Sequence, residues 1–273
     1  MWNLGHIFLF GLLIFSISIT WDKYQKLSLL KRLVLIILLT AFLSLLIEAF
    51  QYLFKNGKPD LIDVRRNFIG AIGCFLLITP SKKMTLSILM KTVAVIAILL
   101  ETIPAGIALF DEIIASKQFP VLADFENDIE ISRWHGDASF IRNLQISKHG
   151  EASLYIVFGT TKYSGLVLDY FPRDWSSYNI LKFDIYYPKS DSLIFTCRIH
   201  DELHIKGQQL YADRFNRRFK LQCGWNEIAI PIKDIENAPK TRKMNICKVL
   251  SIGIFTVQLP EPKTVYLDYV RLE

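Results

Sequence analysis

Residues 33–54 read Leu-Val-Leu-Ile-Ile-Leu-Leu-Thr-Ala-Phe-Leu-Ser-Leu-Leu-Ile-Glu-Ala-Phe-Gln-Tyr-Leu-Phe, an apolar run broken only by Glu48 and Gln51. A helix that crosses a membrane needs about 20 mainly apolar residues, which this run supplies. Similar runs occupy residues 4–20 and 92–110, and a shorter one occupies residues 68–79. The sequence therefore predicts an α-helical transmembrane bundle of about four spans over residues 1–110, in which residues 68–79 either span or re-enter the membrane.

The composition changes along the chain. Residues 1–117 carry 12 Lys or Arg and 7 Asp or Glu, whereas residues 118–273 carry 20 and 19. The excess basic charge therefore lies between the apolar runs, as in a membrane protein, and this argues against a nucleic-acid partner. The four cysteines form no Cys-x-x-Cys pair, which excludes a zinc ribbon and a thioredoxin-like motif.

The positions of Lys and Arg predict the orientation. With four spans, the first and third loops hold seven basic residues and the opposite side holds five. Since cytoplasmic loops are the more basic ones, both termini are expected outside the cytoplasm. The expected location is a multi-pass cytoplasmic (inner) membrane protein with an extracytoplasmic C-terminal domain. A re-entrant 68–79 segment would instead place the two termini on opposite sides.

The four-span topology gathers polar residues of three helices at one membrane face. Glu48 and Gln51 are three residues apart, so they share a helical face. Ionisable groups inside a span are functional candidates, and the alternative is that they cap helices and pair with one another. The members of this predicted membrane polar cluster are His6, Glu48, Gln51, Lys58, Asp63 and Asn67.

A resemblance to a known family appears at the same positions. The sequence contains Asn3-Leu-Gly-His6-x-x-x-Phe10, Glu48-x-x-Gln51 and Lys58-Pro-Asp60-x-x-Asp63-Val-x-x-Asn67-x-x-Gly70, and it resembles the VanZ-like membrane family over residues 1–110. The family usually has Arg where this chain has Lys58. Lysine keeps the positive charge but cannot bind a carboxylate or phosphate through two parallel hydrogen bonds, as arginine does. The resemblance implies a role at the bacterial cell envelope and a single polar site, with no established reaction.

The second half of the chain predicts a β-sandwich. After a composition change at residues 111–120, interpreted as a linker, short β-branched or aromatic runs alternate with turn residues through residue 273. In residues 193–200, Leu193, Phe195, Cys197 and Ile199 share one face and are expected in the core. About nine strands without a long helix indicate an all-β sandwich or jelly roll over residues 121–273. The predicted strands are 121–126, 153–158, 165–170, 180–187, 193–200, 218–222, 227–232, 249–257 and 265–272.

This half resembles carbohydrate-binding modules of the galactose-binding-like jelly-roll type. The resemblance rests on Arg198-Ile-His200-Asp201-x-x-His204, on the segment from Tyr211 to Asn216, on Gly224-Trp225-Asn226 and on the closing strand through Asp268. Sugar recognition needs an aromatic platform for the ring face and donors and acceptors for the hydroxyls. The predicted ligand-binding residues are Arg198, His200, His204, Tyr211 and Arg214. The alternatives are ordinary sheet surface or a metal site that uses both histidines.

The same resemblance implies a structural calcium ion where the first and last strands meet. Its ligands would be Asp124, Glu126 and Asp268, because oxygen ligands suit calcium. The alternative is that Asp268 accepts hydrogen bonds from the backbone at a strand edge. No other cofactor is expected.

The sequence thus predicts a bacterial envelope membrane protein that displays a glycan- or glycolipid-binding β-sandwich outside the cytoplasm, with membrane lipid around its helices and no catalytic residues. Two alternatives remain open. The membrane polar cluster could act enzymatically on a lipid-linked phosphate or sugar, with His and carboxylate as acid and base. The sandwich could instead bind another envelope protein as a scaffold.

Overall fold

The chain divides into two compact units in a computed structural model that describes residues 4–55, 60–80 and 83–273. The first unit is Met1–Leu109 and the second is Phe110–Glu273. The first unit is helical, and the second consists mainly of two antiparallel β-sheets. The predicted order of a helical region followed by a β-sandwich is confirmed.

The helices of the first unit include each of the four predicted apolar runs. They are α1 Gly5–Thr20, the short α2 Asp22–Gln25, α3 Leu29–Lys55, α4 Leu61–Ile78 and α5 Met84–Gln118. In the described residues two segments, Leu29–Phe54 and Met84–Gln118, are long and apolar enough to cross a membrane. Helix α1 has only 16 residues, and α4 carries Asp63, Arg65 and Arg66 near its start. The count of four spans therefore stays a prediction.

Helices α1 and α4 approach closely because α4 carries a glycine at the contact. A Cβ atom built on Gly70 would lie 2.2 Å from the carbonyl oxygen of Ile7, so a larger residue has no room there. On the other side of the contact, Gly11 lies opposite the Gly70 carbonyl oxygen. Small residues at a helix contact let the backbones approach and pack. Phe10, Ile14 and Phe75 are buried beside it.

The predicted linker at residues 111–120 is helical through Gln118, which differs from the sequence interpretation. This end of α5 belongs to the second unit. There the Asp111 carboxylate pairs with the fully buried guanidinium of Arg133 at 2.7 Å. Gln118 Nε2 also donates a hydrogen bond to Glu130 Oε1 at 2.9 Å. Asp111 and Gln118 thus pack against the sandwich rather than lying in a flexible connection.

The second unit, described over its whole length, contains eleven strands. They are β1 Val121–Ala123, β2 Trp134–Gly136, β3 Ser139–Asn143, β4 Ser153–Phe158, β5 Tyr163–Leu168, β6 Ile180–Tyr187, β7 Leu193–Asp201, β8 Phe215–Leu221, β9 Gly224–Pro231, β10 Val249–Val257 and β11 Lys263–Leu272. Two short helices, α6 Glu202–Lys206 and α7 Ile232–Glu236, lie in the connections. All nine predicted strands are present, and the sequence analysis missed β2 and β3.

The strands form two antiparallel sheets. Sheet A has the order β3-β4-β11-β6-β9, with β1 also paired to β11, and sheet B has the order β2-β5-β10-β7-β8. Their inner faces enclose one apolar core, in which Phe183 of sheet A and Phe195 of sheet B lie 6.4 Å apart between ring centroids. Cys197 is fully buried in this core, as the alternation in residues 193–200 predicts. The alternate residues of β7 therefore lie on the outer face of sheet B.

Candidate functional site

The outer face of sheet B carries a groove of about 580 Å³. Strands β5, β7, β8 and β10 and the segment before β8 all contribute side chains to it. The groove combines aromatic rings with guanidinium groups, the two kinds of group that the sequence analysis required for sugar recognition. Its polar and aromatic lining residues include Asp137, Tyr163, Arg198, Tyr211, Arg214, Arg218 and Phe255.

Two glycines in neighbouring strands shape the floor of the groove. Gly253 lies directly opposite Arg198, and a Cβ atom at Gly253 would be 3.3 Å from Arg198 Nε. Gly165 lies opposite Phe255, and a Cβ atom there would be 2.3 Å from the Phe255 Cβ. A glycine inside a strand often marks such a close approach. The Arg198 side chain therefore lies low over the sheet.

Exposed aromatic rings stand beside this floor. Tyr163 is 58% exposed and contacts Phe255 edge to face, with ring centroids 6.0 Å apart. Tyr211 is 70% exposed, and the guanidinium carbon of Arg214 lies 5.6 Å from its ring centroid. Such amphipathic rings offer an apolar face to a ligand and a hydroxyl at the edge.

Several polar atoms on this face have no hydrogen-bond partner among the described residues. They include the Nε atoms of Arg198 and Arg214, both of which are buried. Asn216 pairs with Arg198 across β8 and β7, and Ser251 pairs with His200 across β10 and β7. Buried polar groups in proteins are nearly always hydrogen-bonded, so a cluster of unpartnered ones indicates a binding face. The five atoms are Arg198 Nε, Arg214 Nε, His200 Nδ1, Asn216 Oδ1 and Ser251 Oγ.

The electrostatics of this face disfavour additional positive charge. Burial, followed by repulsion from Arg214, lowers the pKa of the Arg198 guanidinium. Burial, followed by repulsion from Arg198, also lowers the pKa of His200 to about 4, so this imidazole is neutral at pH 7. His200 is itself buried and therefore lies beneath the groove surface.

His204 belongs to a buried anchor rather than to the groove surface. It is 2% exposed, and its Nδ1 atom lies 3.2 Å from Asp213 Oδ2. The guanidinium of Arg242 reaches Asp213 Oδ1 at 2.6 Å and Asp201 Oδ2 at 2.7 Å. Asp201 also accepts a hydrogen bond from the backbone N–H of His204 at the start of α6. We call Asp201, His204, Asp213 and Arg242 the Arg242 anchor.

The Arg242 anchor positions two of the predicted ligand-binding residues. It fixes both ends of the segment between β7 and β8, which carries Tyr211 and then leads to Arg214. The structure thus brings Arg198, Tyr211 and Arg214 together at the groove. His200 lies behind them, and His204 holds the segment in place.

The three predicted calcium ligands accept hydrogen bonds from the backbone instead. Asp268 Oδ2 accepts from the N–H groups of Lys148 and His149, and Glu126 Oε1 accepts from two further backbone N–H groups. Asp124 Oδ1 accepts from the N–H of Glu126. Burial raises the pKa of Asp268. In the described residues no three His, Cys, Asp or Glu side chains form a group that suits a metal ion. The calcium site stays a prediction.

The helical unit connects three of the six residues of the membrane polar cluster, His6, Asp63 and Asn67, and a fourth, Glu48, contacts the backbone beside them. His6 Nδ1 lies 2.8 Å from Asn67 Oδ1, and His6 Nε2 lies 3.4 Å from Asp63 Oδ2. Glu48 Oε2 accepts a hydrogen bond from the backbone N–H of Asp60, which stands before α4. Gln51 is half-buried on α3, without a side-chain hydrogen bond to the described residues, and Lys58 lies outside them.

Three residues that the sequence analysis left out of this cluster complete it. Ser44 Oγ accepts a hydrogen bond from Asn67 Nδ2 at 2.9 Å. Arg66 contacts Asp63 Oδ1 at 3.2 Å and Glu101 Oε2 at 3.4 Å. These side chains pair with one another, which is the arrangement expected of polar groups that hold helices together.

Comparisons with known proteins add the following. No protein-family model matches the sequence, so the VanZ-like resemblance is not shown. No curated protein matches the sequence either. Among solved structures, an exo-beta-agarase is 19% identical over 56% of this chain, with a TM-score of 0.44. This chain covers only 24% of the agarase chain.

Two smaller structures match the same part of the chain. The family 11 carbohydrate-binding module from Clostridium thermocellum, in complex with a beta-1,3-1,4-mixed-linked tetrasaccharide, is 17% identical over 56% of this chain and 93% of its own, with a TM-score of 0.41. The CBM22-2 xylan-binding domain from Paenibacillus barcinonensis is 16% identical over 55% of this chain and 96% of its own, with a TM-score of 0.38. The strand order and register of this chain by themselves define its two antiparallel sheets.

Proposed function

We propose that the β-sandwich is a non-catalytic glycan-binding module whose ligand occupies the groove on sheet B. The observation that carries the proposal is the combination of unpartnered donors at Arg198 and Arg214 with the exposed rings of Tyr163 and Tyr211. Saccharides match this combination because their ring faces are apolar and their edges carry hydroxyl groups. A purely apolar partner would leave the buried donors unpaired, which is costly.

The helical unit supports a membrane anchor for this module. In the spanning windows of α3 and α5 only 22% and 6% of the residues are buried, so their apolar side chains lie on the outside. A core helix of a water-soluble protein would be mostly covered, whereas lipid suits an exposed apolar face. We propose a multi-pass inner membrane protein that displays the sandwich outside the cytoplasm, where envelope glycans and glycolipids occur.

Glycan binding by the full-length protein in detergent tests this proposal. A saccharide array or affinity electrophoresis is expected to show retention of at least one glycan class. Tyr163→Ala and Tyr211→Ala should each weaken that binding about tenfold, since each removes one apolar platform. Tyr155→Ala is the matched control because its ring lies on sheet A, against Tyr266. A folded protein that retains no saccharide, or equal losses in all three variants, would contradict the proposal.

A second candidate function concerns the membrane polar cluster. Glu48 is 6% exposed, and its Oε1 atom has no partner among the described residues. A carboxylate oxygen free to accept a proton suits a general base acting on a lipid-linked phosphate or sugar. Glu48→Gln keeps the side-chain shape, so altered envelope lipids at unchanged protein abundance would support this function. Unchanged envelope lipids in the Glu48→Gln variant would contradict this function.

A further inference from the structure

The arginines of the second unit fall into two groups. Of its nine arginines, five pair with carboxylates: Arg133, Arg142, Arg217, Arg242 and Arg271. Arg198, Arg214 and Arg218 line the groove, and none of them has a carboxylate oxygen within 4.0 Å among the described residues. The second group thus has four members: these three lie together at the groove, and the fourth, Arg173, is exposed and does not line it.

The acidic groups near the groove contact other residues, and the charge of Asp169 also acts on Arg198. Asp137, which lines the groove, accepts a hydrogen bond from the Gly165 N–H at 2.9 Å and from the Thr161 hydroxyl at 3.0 Å. The carboxylate of Asp169 lies 3.4 Å from His135 Nε2. Three guanidinium groups and one carboxylate among the lining residues give the groove a formal charge of +2.

The strand register holds two of these guanidinium groups close together. Thr196 pairs with Arg218 and Arg198 pairs with Asn216, so Arg198 and Arg218 are diagonal neighbours on one face of sheet B. Diagonal neighbours on paired strands have Cα atoms about 7–8 Å apart, within reach of one ligand for long side chains. Arg214 is close enough for its charge to lower the pKa of Arg198. A bound anion would relieve this repulsion.

We propose that the groove selects acidic saccharides, whose carboxylate or phosphate groups pair with Arg198, Arg214 and Arg218. This inference rests on the proposed glycan-binding function and names the class of glycan. The planar guanidinium fork pairs with carboxylate and phosphate oxygens through two parallel hydrogen bonds, more strongly than with neutral hydroxyl groups. The sugar rings then lie against Tyr163 and Tyr211.

Three ligands of similar length distinguish the possibilities: oligogalacturonate, a glycerol phosphate oligomer and a neutral mixed-linkage glucan oligomer. Binding is measured by calorimetry with the full-length protein in detergent, at 50 and 500 mM salt. At least one acidic ligand is expected to bind about tenfold more tightly than the neutral one at 50 mM salt. The advantage should shrink at 500 mM, because salt screens exposed charges. The two acidic ligands separate a uronate from a phosphate as the group recognised.

Two adjacent arginines of β8 provide a matched pair of variants. Arg218→Gln removes a groove charge, and Arg217→Gln removes a charge that pairs with Asp234 at 2.8 Å outside the groove. Arg218→Gln should weaken binding of the acidic ligand about tenfold and leave neutral glucan binding within about twofold. Arg217→Gln should leave both unchanged. Tryptophan fluorescence unfolding confirms that each variant is folded.

Each outcome has a separate meaning. Equal binding of neutral and acidic glycans, or equal effects of the two variants, would overturn the acidic specificity and leave the glycan-binding function standing. Binding of poly-glutamate as tight as that of the acidic glycans would show an anion site without sugar recognition, which overturns both proposals. If none of the ligands binds the folded protein, both proposals are likewise overturned.

Discussion

The helical unit and the groove of the sandwich both contain clusters of polar side chains. The clusters differ in whether those side chains are paired with one another. In the helical unit, His6, Asp63 and Asn67 contact one another, and Arg66 joins Asp63 to Glu101. In the groove, Arg198 and Arg214 have donors without partners. A network closed on itself mainly stabilises the fold, whereas an open one has capacity left for a ligand. The same residue types therefore predict different consequences of mutation in the two places.

The largest effect is expected in the helical network. Asp63→Ala leaves His6 and Arg66 buried without one of their acceptors, which should lower the free energy of unfolding by about 4 kcal/mol. The thermal stability of the detergent-solubilised protein measures this loss. Gln51→Ala, on the same predicted cluster but without a described hydrogen bond, should change stability by less than about 0.5 kcal/mol. Equal stability of the two variants would show that the network is not a stabilising one.

A substitution in the Arg242 anchor should lower both the stability of the protein and its affinity for glycans. Arg242→Met leaves the carboxylate of Asp201, which is fully buried, without its counter-charge, and should cost about 3 kcal/mol. Glycan affinity should fall as well, because the segment that carries Tyr211 and Arg214 loses its attachment. Arg217→Gln breaks an exposed pair and should cost less than about 1 kcal/mol. If Arg242→Met destabilised the protein without affecting glycan binding, the anchor would not position the groove.

An effect of comparable size to that of Arg242→Met concerns the pH dependence of stability. The folded-state pKa of His200 is about 4, whereas an unfolded histidine titrates near 6.5, so the unfolded chain binds more protons between these values. The free energy of unfolding should therefore fall as the pH drops from 6.5 to 4, by about 3 kcal/mol from this residue. Asp201 and Asp213 have lowered pKa values, so their contributions are lost only at more acidic pH.

His200→Gln isolates this contribution, because glutamine does not titrate. The variant should show a shallower decrease in stability between pH 6.5 and 4 than the wild-type protein. Thermal unfolding followed by tryptophan fluorescence at pH 7, 5.5 and 4 gives the comparison. Parallel curves for the two proteins would mean that His200 is accessible to protons in the folded state.

The sequence predicted what depends on local patterns. Alternation along residues 193–200 placed Cys197 in the core and Arg198 on the outer face, as the structure has them. Strands β2 and β3 were missed because Trp134–Gly136 is short and contains a glycine, and neither segment shows a run of β-branched residues. Residues 111–118, predicted as part of a linker, continue α5 instead, and Asp111 there pairs with Arg133, 22 residues away, a contact that no local pattern shows.

The candidate site depends more on contacts between distant parts of the chain. Tyr163 and Phe255 were missed because antiparallel pairing of β5 with β10 brings them together across 92 residues, which no local pattern shows. His204 was assigned to ligand binding because its anchoring role depends on Arg242, which lies far along the chain and binds Asp201 and Asp213, the two partners of His204. The sequence does contain one local indication of the groove, which is the pair of glycines at 165 and 253 inside otherwise apolar strands.

Those two glycines also determine how deep a ligand can sit. Since neither contributes a side chain, the guanidinium of Arg198 lies close over Gly253, and the Cα and Cβ atoms of Phe255 lie close to Gly165. A methyl group at Gly253 would raise the binding surface without altering its charge, whereas one at Gly165 would clash with the backbone of Ile254 and Phe255. The depth of the groove thus depends on glycines of β5 and β10, whereas its charge depends on arginines of β7, of β8 and of the segment before β8. Substitutions can therefore change the thickness and the charge of the preferred ligand separately.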